Sequence, residues 1–264
     1  MPAGYAPRPP SGVPGTAGRP PSDTDRRLLA LVRGARGDRR SVVLEGVHAV
    51  KHAVRFATGL TAVASPDRDG LARLLGEVAP DVAAEILAQV EEVSASTWVQ
   101  LAPRGTPSPV LAVTSRPQVA AGDVLAAAGP VLILEHPRHL GNVGAVIRVA
   151  AAAGIAGVLV VGDADPYHPT AVRGAAGLQF ALPVARSAEV PETTRRIVAL
   201  DGGGRPVQAG DVGDDVALAV GTERAGLSEA LRSRAVARVA VPMRPGVSSL
   251  NLATAVAVAV YAGR

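Results

Sequence analysis

Three hydrogen-bonding side chains stand at the entrance to an almost wholly apolar segment near the C-terminus. Ser248, Ser249 and Asn251 follow a Pro-Gly turn and precede or open the run LATAVAVAVY. Each could simply cap the helix that this run predicts, because Ser and Asn side chains satisfy free N–H groups of a first turn. Each could equally bind a polar ligand, and the rest of the chain helps to weigh these two interpretations.

Two further polar, glycine-bearing loops lie between an apolar run and a helical run. HPRHLGNVG follows PVLILE, and GTERAGLS follows DDVALAV. In open α/β sheets, ligands bind beyond the carboxyl ends of strands, where such loops gather, and glycine lets backbone approach a ligand. We therefore predict that three strand–loop–helix units share one pocket. Its candidate functional residues are Asn142, Arg148, Glu223, Ser249 and Asn251.

Composition narrows the classes of function. The 264 residues are 48% hydrophobic, enough for a sizeable core, but only 2% aromatic, which disfavours a surface of stacked aromatics for single-stranded bases. There is no cysteine, which excludes thiolate catalysis and fits a reducing compartment. Arg148 interrupts the longest apolar stretch, so no membrane span is predicted. We expect a soluble, cytoplasmic protein.

Alternating strand and helix patterns divide the chain into an α/β protein with two units. Residues 1–24 form a Pro/Gly-rich tail that we expect to be disordered. Residues 25–116 predict a smaller α/β domain, 117–129 a linker, and 130–264 a second α/β domain that carries the three loops.

Basic residues offer a nucleic-acid interface. The formal charge is +4 and nearly all of the basic side chains are arginine, which suits phosphate binding but also fits a compositional bias. Most of the candidates lie around a predicted helix–strand turn, where a solvated face is the alternative. The candidate nucleic-acid contacts are Arg33, Arg36, Arg39, Arg40, Lys51, Arg138 and Arg173. His48 and His52 have metal-compatible spacing, but no carboxylate accompanies them, so no metal site is predicted.

The three loops resemble, in order, the signature motifs of the SpoU/TrmH family of SPOUT RNA methyltransferases. The matching segments are NVGAVIR, GTERAGLS and PMRPGVSSLN. Upstream, VLEGVHAVKHAV resembles the start of the ribosomal-protein-like RNA-binding domain found in many members. Val149 and Leu252 depart from the family pattern, in which a hydroxyl residue and Val are common.

This resemblance implies an S-adenosyl-L-methionine-dependent 2′-O-ribose methyltransferase acting on RNA, with ribosomal RNA favoured. It also implies a trefoil knot in the C-terminal domain and a homodimer formed through that domain. By the same resemblance, Arg148 is the catalytic residue, assisted by Asn142, Glu223, Ser249 and Asn251. The implied cofactor-binding residues are Gly221, Thr222, Glu223, Gly226, Leu227, Val241, Met243, Ser249, Leu250 and Asn251.

The role of Arg148 is open at this point. A guanidinium has a pKa above about 12 and is a poor literal base, so we expect it to hold phosphate and to stabilise the developing alkoxide. Alternatives to ribosomal RNA methylation are a transfer RNA substrate, methylation of a base nitrogen and a non-catalytic RNA-binding protein. An ordinary Rossmann enzyme is disfavoured, because no Gly-x-Gly-x-x-Gly follows PVLILE.

Overall fold

The computed structural model describes residues 21–56, 59–222, 226–247 and 249–264. Most of the predicted tail, together with Glu223 and Ser248, lies outside these described residues. The prediction of an α/β fold is confirmed, with two sheets of four and six strands. No helix within the described ranges is long and apolar enough to cross a membrane.

The N-terminal unit is built on the four-stranded sheet, in the order β1-β4-β2-β3. Its elements are α1 (Asp23–Gly37), β1 (Ser41–Glu45), α2 (Val47–Arg55), β2 (Leu60–Ser65), α3 (Arg68–Val78), α4 (Ala83–Gln89), β3 (Val90–Glu92), α5 (Ala95–Leu101) and β4 (Leu111–Ser115). Strand β4 runs antiparallel to β1 and β2, whereas β3 is parallel to β2. Residues of β1 alternate between the faces: Val43 packs with α1, and Val42 and Leu44 pack with α2.

The segment 117–129, predicted to be a linker, contains a helix, α6 (Ala121–Ala126). Val124 and Leu125 of this helix are buried against Val131 and Ile133 of the following strand. Burial of these two apolar side chains stabilises the short helix, whose sequence lacks a strong helix signal of its own. The segment is therefore part of the C-terminal core.

The C-terminal unit contains a fully parallel sheet in the order β10-β8-β9-β5-β6-β7. Its elements are β5 (Val131–Glu135), α7 (Leu140–Ala152), β6 (Gly157–Val161), α8 (Pro169–Ala175), β7 (Val184–Ser187), β8 (Arg196–Pro206), β9 (Val216–Val220), α9 (Glu229–Arg234), β10 (Ala235–Ala240) and α10 (Leu252–Gly263), with a short 3-10 turn at Leu178–Phe180. Strands β5, β6 and β9 are buried at every position, as expected for central strands covered on both faces. Parallel pairing brings the polar loops to one edge of the sheet.

Strand β8 carries a large irregularity at that edge. Opposite β10, the partner of Arg238 is Ala199 but the partner of the next residue, Val239, is Arg205. The five residues 200–204 of β8 are therefore extra in this pairing and bulge from the ladder. This bulge supplies part of the site described below.

The two units share one core. Leu44 and Val50 of the N-terminal unit belong to the same buried cluster as Leu132 and Val146 of the C-terminal unit. The close approach needs a glycine at 177, which has φ +79° and where a Cβ atom would lie 2.6 Å from the carbonyl oxygen of Ala49.

Polar contacts reinforce the junction between the units. Glu45 of β1 forms ion pairs with Arg36 of α1, at 3.5 Å, and with Arg173 of α8. Nδ1 of His52 in α2 contacts the carbonyl oxygen of Ala176 at 2.7 Å. The predicted RNA-binding and catalytic units are thus packed against each other across several elements.

Candidate active site

The carboxyl ends of β8, β9 and β10 surround a cavity of about 320 Å³. Its walls come from the β8 bulge, from the loops after β9 and β10, and from the first turn of α10. The first loop, which was predicted to share this pocket, contributes no described lining residue, because β5 lies on the side of β9 away from β8 and β10. The lining residues are Leu200, Asp201, Gly202, Val220, Gly221, Thr222, Gly226, Leu227, Arg232, Ala240, Val241, Met243, Ser249, Leu250, Leu252 and Ala255. Eight of them were predicted as cofactor contacts, namely Gly221, Thr222, Gly226, Leu227, Val241, Met243, Ser249 and Leu250.

A tight backbone turn forms the wall after β9. The N–H groups of Thr222 and Gly226 each donate to the other residue's carbonyl oxygen, at 3.1 and 3.0 Å. A Cβ atom at Gly221 would lie 2.0 Å from the carbonyl carbon of Gly226, so only glycine fits there. Gly226 has φ +66°, which also favours glycine. The glycines of the second loop therefore allow backbone atoms to form this wall of the cavity.

A buried carboxylate ties the first loop to the second. Glu135, the last residue of β5, accepts hydrogen bonds from the backbone N–H and the hydroxyl of Ser228, both at 2.6 Å. The same Ser228 caps α9, because its Oγ accepts from the N–H of Leu231 at 3.1 Å. Sequence reasoning missed Glu135, although a carboxylate that ends a wholly apolar strand was a visible signal.

Asn251 both caps α10 and contacts the first loop. Its Oδ1 accepts hydrogen bonds from the N–H groups of Ala253 and Thr254, at 3.0 and 3.4 Å. Its Nδ2 donates to Oδ1 of Asn142 at 3.1 Å, in the side-chain orientation assigned to both amides. Asn251 thus caps the helix, as one interpretation of the polar entrance predicted, and it lies next to the cavity rather than in its lining.

Arg148 lies farther along α7, on the exposed surface of the helix. Among the described residues it has neither a hydrogen bond nor an ion pair. It faces the N-terminal unit: burial, followed by the charges of Lys51 and Arg148, lowers the pKa of His48 in α2. Of the predicted catalytic residues, Asn142 and Asn251 therefore contact each other, whereas Arg148, farther along the helix of Asn142, pairs with no described residue.

The β8 bulge adds a charged group that was not predicted. The Asp201 carboxylate accepts a hydrogen bond from the N–H of Gly203 at 2.9 Å, which lowers its pKa together with the nearby Arg238 and Arg232. Its oxygens lie 3.3 and 3.4 Å from those two guanidinium groups. The signal was present, since RIVALDGGG is a fourth apolar run that leads into a glycine-rich polar loop.

The predicted RNA contacts are distributed over several surfaces. Arg39 and Arg138 are exposed and have no polar partner among the described residues. Most of the others have partners: Arg33 contacts Gln100 at 3.3 Å, Arg36 donates to the Leu101 carbonyl at 2.6 Å, Arg40 pairs with Asp38 at 3.3 Å, and Arg173 pairs with Glu45.

Lys51 does not belong to the predicted basic cluster. It lies on α2, on the opposite face of the four-stranded sheet from α1, and donates to the Val78 carbonyl at 3.0 Å. Burial is the main cause that lowers its pKa. Nearness in sequence misled the prediction, because β1 separates the two helices.

Comparison with known proteins gives consistent matches. The model of the SpoU rRNA Methylase family matches residues 129–261. The chain is 35% identical over 164 residues to the 23S rRNA (guanosine(2553)-2'-O)-methyltransferase RlmP of Bacillus subtilis, covering 59% of this chain and 64% of the relative. It is 31% identical over 243 residues to the uncharacterized tRNA/rRNA methyltransferase Mb0905 of Mycobacterium bovis, covering 83% and 79%.

A solved structure extends the similarity to nearly the whole chain. The crystal structure of an AdoMet-bound rRNA methyltransferase from Sinorhizobium meliloti superposes with a TM-score of 0.69 and 27% identity, covering 90% of this chain and 93% of that one. The matches to the first three curated relatives span between 50% and 64% of those proteins' own length.

Proposed function

Because this chain belongs to the SpoU rRNA Methylase family, we propose that it transfers a methyl group from S-adenosyl-L-methionine to a ribose 2′-hydroxyl of RNA, with ribosomal RNA as the substrate. The cavity at the ends of β8, β9 and β10 is the observation that carries this proposal. The second and third of the loops that resemble the family motifs, GTERAGLS and PMRPGVSSLN, line it together with the β8 bulge. The relatives named as 23S rRNA 2′-O-methyltransferases support the ribose hydroxyl and the ribosomal substrate.

The residues around the cavity fit this cofactor. Backbone of Gly221 and Gly226 and the apolar side chains of Leu227 and Leu252 suit a flat adenine ring, and the Asp201 carboxylate suits the hydroxyls of a ribose. When bound, the cofactor supplies an electrophilic methyl group on a sulfonium. The proposed cofactor-binding residues are the eight lining residues Gly221, Thr222, Gly226, Leu227, Val241, Met243, Ser249 and Leu250, together with Glu223 and Asn251.

The chain's own task is to position and activate a ribose hydroxyl, which is barely ionised at neutral pH. We assign Arg148 to the phosphate beside that ribose and to the developing alkoxide. Its guanidinium is permanently charged, exposed and not engaged by any described carboxylate. Asn251 holds Asn142 and the first turn of α10 in one arrangement, so that the first and third loops keep a fixed distance. Glu223 and Ser249 complete the proposed group.

Two features support the finer predictions of a trefoil knot and a homodimer. Strand β10 lies beside β8 rather than beside β9, which precedes it in the chain. After β10 the chain returns, and α10 packs on α7. This path fits a knotted C-terminal unit. The C-terminal unit also exposes large apolar side chains, which suit a subunit interface. These are Val236, Met243, Val247, Val258 and Tyr261. We further propose that the N-terminal unit binds RNA and that the protein acts in the cytoplasm.

Methyl transfer from labelled S-adenosyl-L-methionine to total cellular RNA lacking the modification, followed by separation of ribosomal from transfer RNA, tests the proposed reaction. A 2′-O-methyl group blocks alkaline cleavage at its own linkage, so we expect the label in alkali-resistant dinucleotides. Label in mononucleotides would indicate base methylation. Label in transfer RNA alone would identify transfer RNA, instead of ribosomal RNA, as the substrate. No transfer together with no cofactor binding would support a non-catalytic RNA-binding protein.

Arg148→Lys tests the role of the guanidinium. We expect about a hundredfold lower kcat with unchanged cofactor affinity, because an ammonium cannot make the same planar, two-pronged contact with phosphate. Arg73→Lys is the matched control, since Arg73 is exposed on α3, which packs beside α4 and the edge strand β3. Near-normal turnover of Arg148→Lys would refute the need for a guanidinium.

A further inference from the structure

We propose that the cleft between the two units is a second binding site for the RNA backbone, which takes a phosphodiester of the substrate remote from the methylated ribose. This inference rests on the proposed function, and it adds a second place at which the substrate RNA contacts the protein. The junction cleft consists of two adjoining cavities, of about 110 and 240 Å³, that share Arg39 and Tyr167 in their lining. Arg116 and Arg186 line the larger cavity.

Contacts within the N-terminal unit and between the two units hold the cleft together. The N–H of Arg116, just after β4, donates to the carbonyl of Arg40 at 2.8 Å, which fixes the α1–β1 turn against the end of β4. The Arg116 guanidinium pairs with Asp165 of the C-terminal unit at 2.8 Å and lies 4.6 Å above the Tyr167 ring. Its side chain is only 16% exposed. Arg116 is therefore fixed in place before any ligand arrives, which lowers the entropic cost of binding.

Positive charge exceeds negative charge around the larger cavity. Asp165 neutralises Arg116, but Arg39 has no described partner, and Arg186 donates only to the carbonyl oxygen of Asp163, at 3.2 Å. Asp38, in the smaller cavity, is paired with Arg40 at 3.3 Å. Two exposed guanidinium groups thus remain for an anion, and guanidinium is the side chain best suited to grip phosphate oxygens.

Tyr167 gives the cleft a rigid, polar floor. Its side chain is buried, and the hydroxyl has no hydrogen-bond partner among the described residues. Burial raises the pKa of Tyr167, so the hydroxyl keeps its proton and remains a donor. This donor belongs to the residue whose side chain lines both cavities.

The position of the cleft favours RNA over a free anion. Asp165 and Tyr167 follow the carboxyl end of β6, at the sheet edge that also carries the cofactor-cavity loops. Three strand spacings separate β7 from β9, about 14 Å at roughly 4.8 Å per strand. An RNA strand that leaves the cavity over β5 and β6 would reach the cleft within a few nucleotides. Binding of a free phosphate ion would not require the cleft to be aligned with the cofactor cavity.

The test is the salt dependence of RNA binding by the full chain with both Arg39→Gln and Arg186→Gln. The probe is an unmodified 23S ribosomal RNA transcript. Loss of two phosphate contacts should lower affinity about tenfold near 0.1 M salt and flatten the slope of log K against log salt by about 1.4. Cofactor affinity should stay unchanged. The control is Arg73→Gln with Arg104→Gln, two exposed arginines outside the cleft, which should leave the slope as in the wild type.

An unchanged slope in the cleft variant would overturn the proposal, even if the wild type methylates ribose normally. The converse result, a flattened slope in a protein that transfers no methyl group, would support the cleft and refute the reaction. Inorganic phosphate is titrated in parallel. If it stabilises the wild type but not the cleft variant while RNA binding is equal in both, the cleft is a small-anion site and the RNA proposal is wrong.

Discussion

The cofactor cavity and the junction cleft are built in opposite ways. The cavity is shaped largely by backbone: Gly221 and Gly226 form a turn in which no Cβ atom fits at 221, and apolar side chains together with the Asp201 carboxylate form much of the remaining wall. The cleft is shaped by long charged side chains from distant segments, with Arg39, Arg116 and Arg186 converging on it. One site depends on local conformation, and the other on how the two units pack.

This difference predicts how each site responds to change. A backbone-built cavity should be insensitive to salt but intolerant of a single added methyl group. An arginine-built cleft should tolerate conservative substitutions one at a time and lose affinity as salt rises. Substitutions that separate these behaviours test the comparison directly.

Gly221→Ala should have the largest effect. The new Cβ atom would lie 2.0 Å from the Gly226 carbonyl carbon, so the turn must open and the cavity wall is lost. We expect cofactor affinity to fall about a hundredfold by isothermal titration calorimetry, equivalent to about 2.7 kcal/mol. RNA binding and its salt slope should stay as in the wild type, because the cleft does not involve this turn.

Gly76→Ala is the matched control for that substitution. Gly76 lies in α3 with open space where its Cβ atom would be, so cofactor binding should be unchanged and the helix slightly stabilised. If Gly221→Ala binds the cofactor normally, the second loop is not a backbone wall. The contrast between the two sites would then lose its main support.

The same contrast explains what the sequence could predict. GTERAGLS and PMRPGVSSLN each specify a local turn and helix start, so residues such as Leu227 and Ser249 were correctly expected at one cavity. Parallel pairing then brings the loops together without further information. The turn at Pro-Met-Arg-Pro-Gly can be predicted from these five residues alone, without knowing which distant residues they contact.

Contacts that depend on packing could not be predicted in this way. Lys51 is six residues from Glu45, yet β1 places it on the opposite face of the sheet from Arg36. The pairing of Glu135 with Ser228 joins residues 93 positions apart. Arg116 becomes part of a site only because Asp165 and Tyr167 of the other unit meet it.

Asn251→Ser separates the two roles of Asn251 beside the cofactor cavity and should have an intermediate effect. Serine keeps an oxygen that can cap α10 but is too short to reach Asn142, so the cap and the inter-loop contact are separated. We expect methyl transfer to fall about tenfold through misplaced loops, while the free energy of unfolding changes by only a few tenths of a kcal/mol. Urea denaturation and initial rates measure the two quantities.

Asn251→Ala removes both functions of the side chain. It should add a loss of about 1 kcal/mol in stability to the same tenfold loss of rate. Wild-type turnover in Asn251→Ser would show that the contact with Asn142 is not needed for the reaction and that Asn251 serves only as a helix cap.

His52→Phe should have the smallest effect, at the junction between the units. Phenylalanine keeps a ring near Phe56 but leaves the Ala176 carbonyl without its hydrogen bond, which costs about 1 kcal/mol. For a chain of this size we expect the melting temperature at pH 7.5 to fall by about 2–4 °C. Cofactor affinity should be unaffected, because the change is remote from the cavity.

The pH dependence of this loss identifies the junction as its source. Burial, with contributions from Lys51, Arg55 and His48, lowers the pKa of folded His52 below its ordinary value of 6.5. Between these two pKa values the unfolded chain binds more protons than the folded chain, so the wild type loses stability as pH falls below 6.5. His52→Phe lacks this proton uptake, and the gap in melting temperature should narrow at pH 5.5. His139→Phe, at an exposed position that forms no side-chain cap, should show neither change. A gap that stays constant with pH would mean that His52 contributes packing alone and that the junction carries no titratable contact at this position.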